Sequence, residues 1–122
     1  MALFQLTEDG NLLTIQQGAT FSLSVNYKTA AGSTVNLSSG YTARMQGRTS
    51  HAASSTVFSL TQAGGITLGS SDPNIVISIA ASATDDLSAP SGGVYDLELV
   101  DSSSNVYRIL EGRFVVTPEV SR

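Results

Sequence analysis

The sequence predicts an all-β domain, a sandwich or barrel of short strands, on three observations. Turn-forming clusters recur at short intervals: Glu8-Asp9-Gly10-Asn11, Ala31-Gly32-Ser33, Ser38-Ser39-Gly40, Ala63-Gly64-Gly65, Ser71-Asp72-Pro73-Asn74, Pro90-Ser91-Gly92-Gly93 and Ser102-Ser103-Ser104-Asn105. The apolar runs between them have strand length, a spacing typical of sandwiches and barrels. Within those runs apolar and polar residues alternate, which gathers the apolar ones on one face of a strand and would scatter them around a helix.

Residues 1–11 read as an N-terminal arm or an added edge strand, with Leu3, Phe4 and Leu6 forming an apolar patch before the first turn. Residues 12–122 read as the sandwich domain. Phe21, Leu23, Val25 and Tyr27 share one strand face against Ser22, Ser24, Asn26 and Lys28. Tyr41, Ala43 and Met45 point inward, and Arg44, Gln46 and Arg48 point outward. Ile75, Ile77 and Ile79 alternate with Val76, Ser78 and Ala80. Tyr95, Leu97 and Leu99 alternate with Asp96, Glu98 and Val100. The run 105–117 is longer than an average strand, and Gly112 within it marks the expected bulge or bend. Ser82-Ala83-Thr84-Asp85-Asp86-Leu87 breaks the alternation and predicts one short helical turn near 82–88, with Ser82 as N-cap and the two aspartates near its positive end.

Composition excludes several classes. At 122 residues the chain suffices for one domain with a real core. Charged residues make up 13%, about half the ~25% usual in soluble domains. Ser, Thr, Gly, Asn and Gln take their place, a composition foreign to helical bundles. Six basic against ten acidic residues argue against general nucleic-acid binding, which rests on clustered positive charge. The absence of cysteine removes disulfides, thiolate zinc sites and cysteine nucleophiles. The start of the chain lacks the basic and apolar regions of a signal peptide, and no run approaches the ~18 apolar residues of a membrane helix. The expectation is synthesis in the cytoplasm, with neither membrane nor nucleic acid as partner.

Candidate chemistry is sparse. The sole histidine, His51, lies in a small-residue stretch that reads as a hairpin loop, without the oriented partners that a nucleophile or a transition metal needs. Glu8, Asp9 and Asn11, or Asp72 and Asn74, offer oxygen ligands for calcium, but turn chemistry explains both runs and the EF-hand pattern is missing. Asp96 and Glu98 have the strand spacing of a carboxylate pair for glycoside hydrolysis. A cleft with aromatic platforms would be needed as well, and Phe21, Tyr27, Tyr41, Phe58, Tyr95 and Phe114 fall on core faces. Arg44 and Arg48 lie four apart on the outward face of a strand that could neighbour Asp96 and Glu98, so cross-strand ion pairs are the simpler expectation. No catalytic residue, cofactor or metal is expected. A Ser/Thr-rich exterior suits permanent protein contacts, because desolvating a hydroxyl costs less than desolvating an unpaired charge.

Several segments, in order, carry a family resemblance: Ile15-Gln16-Gln17-Gly18-Ala19-Thr20-Phe21, then Val35 to Arg48 with Gly40-Tyr41, then Ile75 to Leu87, Tyr95 to Leu99, and Arg108 to Arg122. Residues 12–122 together resemble small tailed-bacteriophage structural proteins related to the N-terminal domain of the lactococcal-phage upper baseplate protein. The resemblance implies a single immunoglobulin-like β-sandwich of about 7–9 antiparallel strands. It also implies a place in the virion and a non-enzymatic role as an adaptor or attachment module of tail, baseplate or fibres. Partners would be other virion proteins and further copies of the chain, a trimer being the first expectation because fibres are commonly three-fold. Members that carry receptor-binding parts continue beyond this domain, whereas this sequence stops at Arg122, so it is expected to join other chains. The expected interface comprises Leu3, Phe4, Leu6, Arg44, Arg48, Tyr107, Glu119 and Arg122. Two other roles use the same fold: a capsid decoration protein bridging capsomers, and a host-glycan-binding sandwich with Tyr107 as its solvent-facing aromatic.

Overall fold

A computed structural model describes residues 12–120 of the chain. Eight strands follow one another: β1 (Leu13–Gln16), β2 (Phe21–Val25), β3 (Tyr41–Arg48), β4 (Phe58–Gln62), β5 (Gly65–Leu68), β6 (Ile75–Ile79), β7 (Ser91–Asp101) and β8 (Val106–Thr117). A single helical turn, α1 (Ala81–Thr84), separates β6 from β7. All eight strands belong to one continuous sheet in the order β1-β8-β7-β3-β4-β5-β6-β2, nearly closed into a barrel-like sandwich.

The sheet folds into two layers at Ala63–Gly65. There Ala63 (φ 66°) and Gly65 (φ 113°) take left-handed backbone and carry the chain around the corner. On one side lies β1-β8-β7-β3-β4, on the other β5-β6-β2. Dividing the strands this way gives the arrangement of an immunoglobulin-like sandwich. Five of the seven pairings are antiparallel. β1 with β8 and β4 with β5 are parallel, which departs from the uniformly antiparallel expectation. The first follows from a strand that changes layer. β1 pairs at one edge with β8, and the turn at 17–20 then hands the chain to β2 at the other edge.

Alternation builds the core as expected. Leu13, Ile15, Ala43, Met45, Ile75, Ile77, Ile79, Tyr95, Leu97, Leu99, Leu110, Phe114 and Val116 are buried between the layers. Each large aliphatic side chain there contributes roughly 1.5–3 kcal/mol relative to exposure. The Phe58 ring lies over Gly47, its cross-strand neighbour, where any side chain would displace it. That placement brings Phe58 edge-on to Phe114, with ring centroids 5.1 Å apart at 77°, a favourable aromatic geometry.

Two local expectations are corrected. The N-cap of α1 is Ala80, two residues before the expected Ser82 and extended at φ −64° and ψ 152°, and no side chain caps the turn. Asp85 is the C-cap, so the acidic pair follows the turn and does not face its positive end. Thr84 fixes this placement from the interior. The long final strand is irregular at Ile109, not at Gly112. Leu97 pairs with Leu110 and Glu98 with Arg108, which leaves Ile109 as the extra residue, whereas Gly112 pairs regularly with Tyr95. The bulge reverses the parity of β8, so Leu110 and Phe114 face the core below it and Tyr107, opposite Leu99, takes the core side above it.

Candidate functional site

Three features stand out on this frame: a charged outer face, a tyrosine-lined mouth, and an uncharged opposite face. The charged face is built by register. Arg44 on β3 stands directly opposite Glu98 on β7, and its Nε lies 2.8 Å from Glu98 Oε1. Glu98 in turn opposes Arg108 on β8. Arg108 lies 3.6 Å from Asp96, 3.7 Å from Glu98 and 3.5 Å from Glu111. Partial burial, then the neighbouring Glu98, push the Asp96 carboxyl above its ordinary range, while Arg108 works against them.

The expected ion pairing is therefore half realised. Arg44 has its carboxylate, but Arg48 opposes Val94. Arg48 instead donates to Ala53 O at 2.9 Å and Gln46 Oε1 at 3.0 Å, bracing the loop that carries His51. Arg48, His51, Asp96, Arg108 and Glu111 border a shallow hollow of about 160 Å³ on this face. Its two carboxylates, Asp96 and Glu111, both pair with Arg108, one across strands and one along β8.

The mouth lies at the end of the sandwich where β8 begins. Tyr27, Val35, Tyr41, Val106, Tyr107 and Ile109 line a cavity of about 560 Å³, within the usual range for binding pockets. Tyr107 is 41% exposed and Val106 50%. The Tyr107 hydroxyl donates to Asp101 Oδ2 at 3.0 Å. Asp101 also accepts from the backbone N–H groups of Ser103 and Asn105, each at 2.9 Å, which ties the β7–β8 hairpin to the rim. These bonds hold its carboxyl below the ordinary range, that from the Asn105 backbone first, and the Asp101 bond raises the Tyr107 phenol.

Asn74 fixes the other side of the mouth. It is fully buried. Its Oδ1 accepts from Tyr27 N–H at 2.8 Å, and its Nδ2 donates to Tyr27 O and Val35 O at 2.8 Å each. Its neighbour Asp72 pairs with Lys28 at 3.0 Å and accepts from Thr34 at 2.8 Å. The turn considered for calcium is thus committed to holding the loop after β2. No cluster of three His, Asp or Glu arranged for a metal occurs among the described residues.

Leu3, Phe4, Leu6 and Arg122, together with Glu8, Asp9 and Asn11, lie outside the described residues. The Glu119 carboxylate lies against Gly18, and its backbone N–H donates to Gln17 Oε1 at 3.1 Å. Asn74 and Thr84 are the structural residues that sequence reasoning missed. Each is a polar residue beside a turn signal, and nothing in its neighbours distinguishes it from a solvated loop residue.

The opposite layer is different in kind. On the outward side of β2, β5 and β6 stand Ser22, Ser24, Thr67, Val76 and Ser78, with Ser22 opposite Ser78 and Val76 between Ser24 and Thr67. No charged residue interrupts that face among the described residues. No protein-family model matches the sequence, and no curated protein matches it with significance.

Proposed function

We propose that this chain is a non-enzymatic structural protein of a tailed-bacteriophage particle, an adaptor that docks other virion proteins in the tail, baseplate or fibre attachment. The observation that supports this reading most is the hydroxyl face of β2, β5 and β6. Lysine and glutamate usually populate a free outer face and keep it soluble. A face of Ser, Thr and Val costs little to desolvate and suits a permanent contact. The sequence resemblance supplies the phage context, and the rigid sandwich supplies the scaffold. Such a module works by geometry, presenting fixed faces and edges to neighbouring chains.

Immunogold labelling of purified particles with antibodies to the chain tests the reading. Label on the tail or its fibres supports it. Label on the head favours capsid decoration by the same face, and unlabelled particles overturn both. The tyrosine-lined mouth favours one alternative, binding of a host glycan through stacking on Tyr107. A glycan array comparing the chain with Tyr107→Ala distinguishes it.

A further inference from the structure

We infer that the tyrosine-lined mouth and the adjoining edge of β8 receive the N-terminal segment Leu3–Leu6 of a second copy of this chain. Two observations coincide at one place. Among the described residues, β8 has a strand neighbour from Val106 to Leu110 only on its β7 side, because β1 pairs with Phe114–Thr117 alone. Beside that open edge lies the mouth, where Val106 and Tyr107 are exposed. An open edge accepts an added strand through backbone hydrogen bonds, and an adjacent pocket selects its alternate side chains.

The register of β1 argues against the same copy's segment. Leu13 and Ile15 are the buried residues of β1, opposite Phe114 and Val116. A chain continuing that alternation toward its start would turn Asn11, Asp9, Thr7, Gln5 and Leu3 to the core side, four of the five polar, and Leu6 and Phe4 to solvent. The cost of setting Asp9 over an apolar site opposes it. A segment from another copy is free to choose its register. Phe4 and Leu6, two apart, then share the face toward Tyr27, Tyr41 and Tyr107, and the cavity has room for both side chains. Eleven residues reach up to ~36 Å when extended, enough to cross to a neighbouring sandwich.

This inference deepens the reading of the chain as an assembly component and gives its self-association a mechanism. Light scattering after size exclusion, combined with hydrogen exchange, tests it on the full chain, a deletion of residues 2–9, Phe4→Asp/Leu6→Asp, and Val106→Asp at the receiving edge. The full chain is expected at a multiple of 12.7 kDa, and all three variants as single chains, with exchange in the buried strand β7 unchanged. Protection of those amides in 106–110 that point away from β7 is expected to vanish in the arm variants and on dilution of the full chain, while those bonded to β7 keep theirs. A full chain of single mass, or arm variants that keep the multiple, overturns the inference. Protection that is lost in the arm variants but insensitive to dilution also overturns it, by assigning the segment to its own copy. Unlabelled virions alongside an arm-dependent oligomer would sink the phage reading and leave this inference standing.

Discussion

Asn74 holds Tyr27 by both of its backbone polar groups, accepting from its N–H and donating to its carbonyl at 2.8 Å each. A third bond, to Val35 O, closes the loop after β2 over the end of the sandwich. One buried amide thereby does for an irregular segment what a ladder does for a strand, and it positions two linings of the mouth. Asn74→Ala strands three backbone groups at a buried site. The expected loss is about 3 kcal/mol or more, at roughly 1–3 kcal/mol for each group left unpaired in the interior. Urea denaturation checks it, and Asn74→Asp should also destabilise, because a carboxylate lacks the two donors.

Thr84 plays the corresponding part at the layer crossing. Its hydroxyl accepts from Gly18 N–H at 3.1 Å and contacts Ala19 O at 2.8 Å, tying the β1–β2 turn to α1. Thr84→Val keeps the shape and leaves these groups unpaired, for an expected loss of about 2 kcal/mol. Thr84→Ser should recover most of it in the same denaturation experiment.

Gly18 sits in left-handed backbone at φ 83°, with the Glu119 carboxylate where a side chain would begin. Gly18→Ala carries both a conformational and a steric cost, and about 1–2 kcal/mol is expected from the conformation alone. Combining it with Glu119→Ala relieves the steric part only. Melting temperatures of the two variants should therefore differ, with neither reaching that of the parent.

The charged face gives a pH signature. Asp96 is raised by burial and by Glu98, with Arg108 opposing. A raised carboxyl contributes stability that is present below its unfolded-state value and lost as pH rises through its folded value. Asp96→Asn should flatten stability across that window. Arg108→Ala should raise the Asp96 carboxyl further while costing under about 1 kcal/mol, as half-exposed pairs do. Carboxyl carbon NMR titration reads the first effect and denaturation the second. Asp101 has the opposite sign: its lowered carboxyl supports the hairpin above the ordinary range, and that support is lost as pH falls through the lowered value.

Much of the fold was legible because burial writes itself into alternation. β2, β3, β6 and β7 were readable in order with their inward residues, as was ion pairing between the arginine and carboxylate strands, though not which arginine would meet which carboxylate. The missed features depend on partners far along the chain. Nothing near Ile109 announces the bulge, since it arises from how β8 meets β7 across Leu97 and Glu98. The glycine at 112 carries the usual signal of irregularity and pairs regularly. Asn74 resembles any turn asparagine until Tyr27 and Val35, far from it in sequence, are brought against it. The mouth was half visible: Tyr107 drew notice, but its grouping with Tyr27 and Tyr41 needed the loop after β2 to be folded. The hydroxyl face was legible as a shortage of charge, and only the layer arrangement gives it a location.

That location allows the central claim to be tested on particles. Ser22→Lys/Ser78→Lys introduces two charges on the outward face of β2 and β6, where substitutions should change folding stability by no more than about 0.5 kcal/mol each. Complementing a phage that lacks the gene with this variant, and weighing the chain in purified particles by quantitative mass spectrometry against the parent, asks whether that face binds the virion. The account predicts a folded variant that is lost from particles, with the parent chain retained at the tail. Parent and variant incorporated equally, or a parent absent from particles altogether, would contradict it.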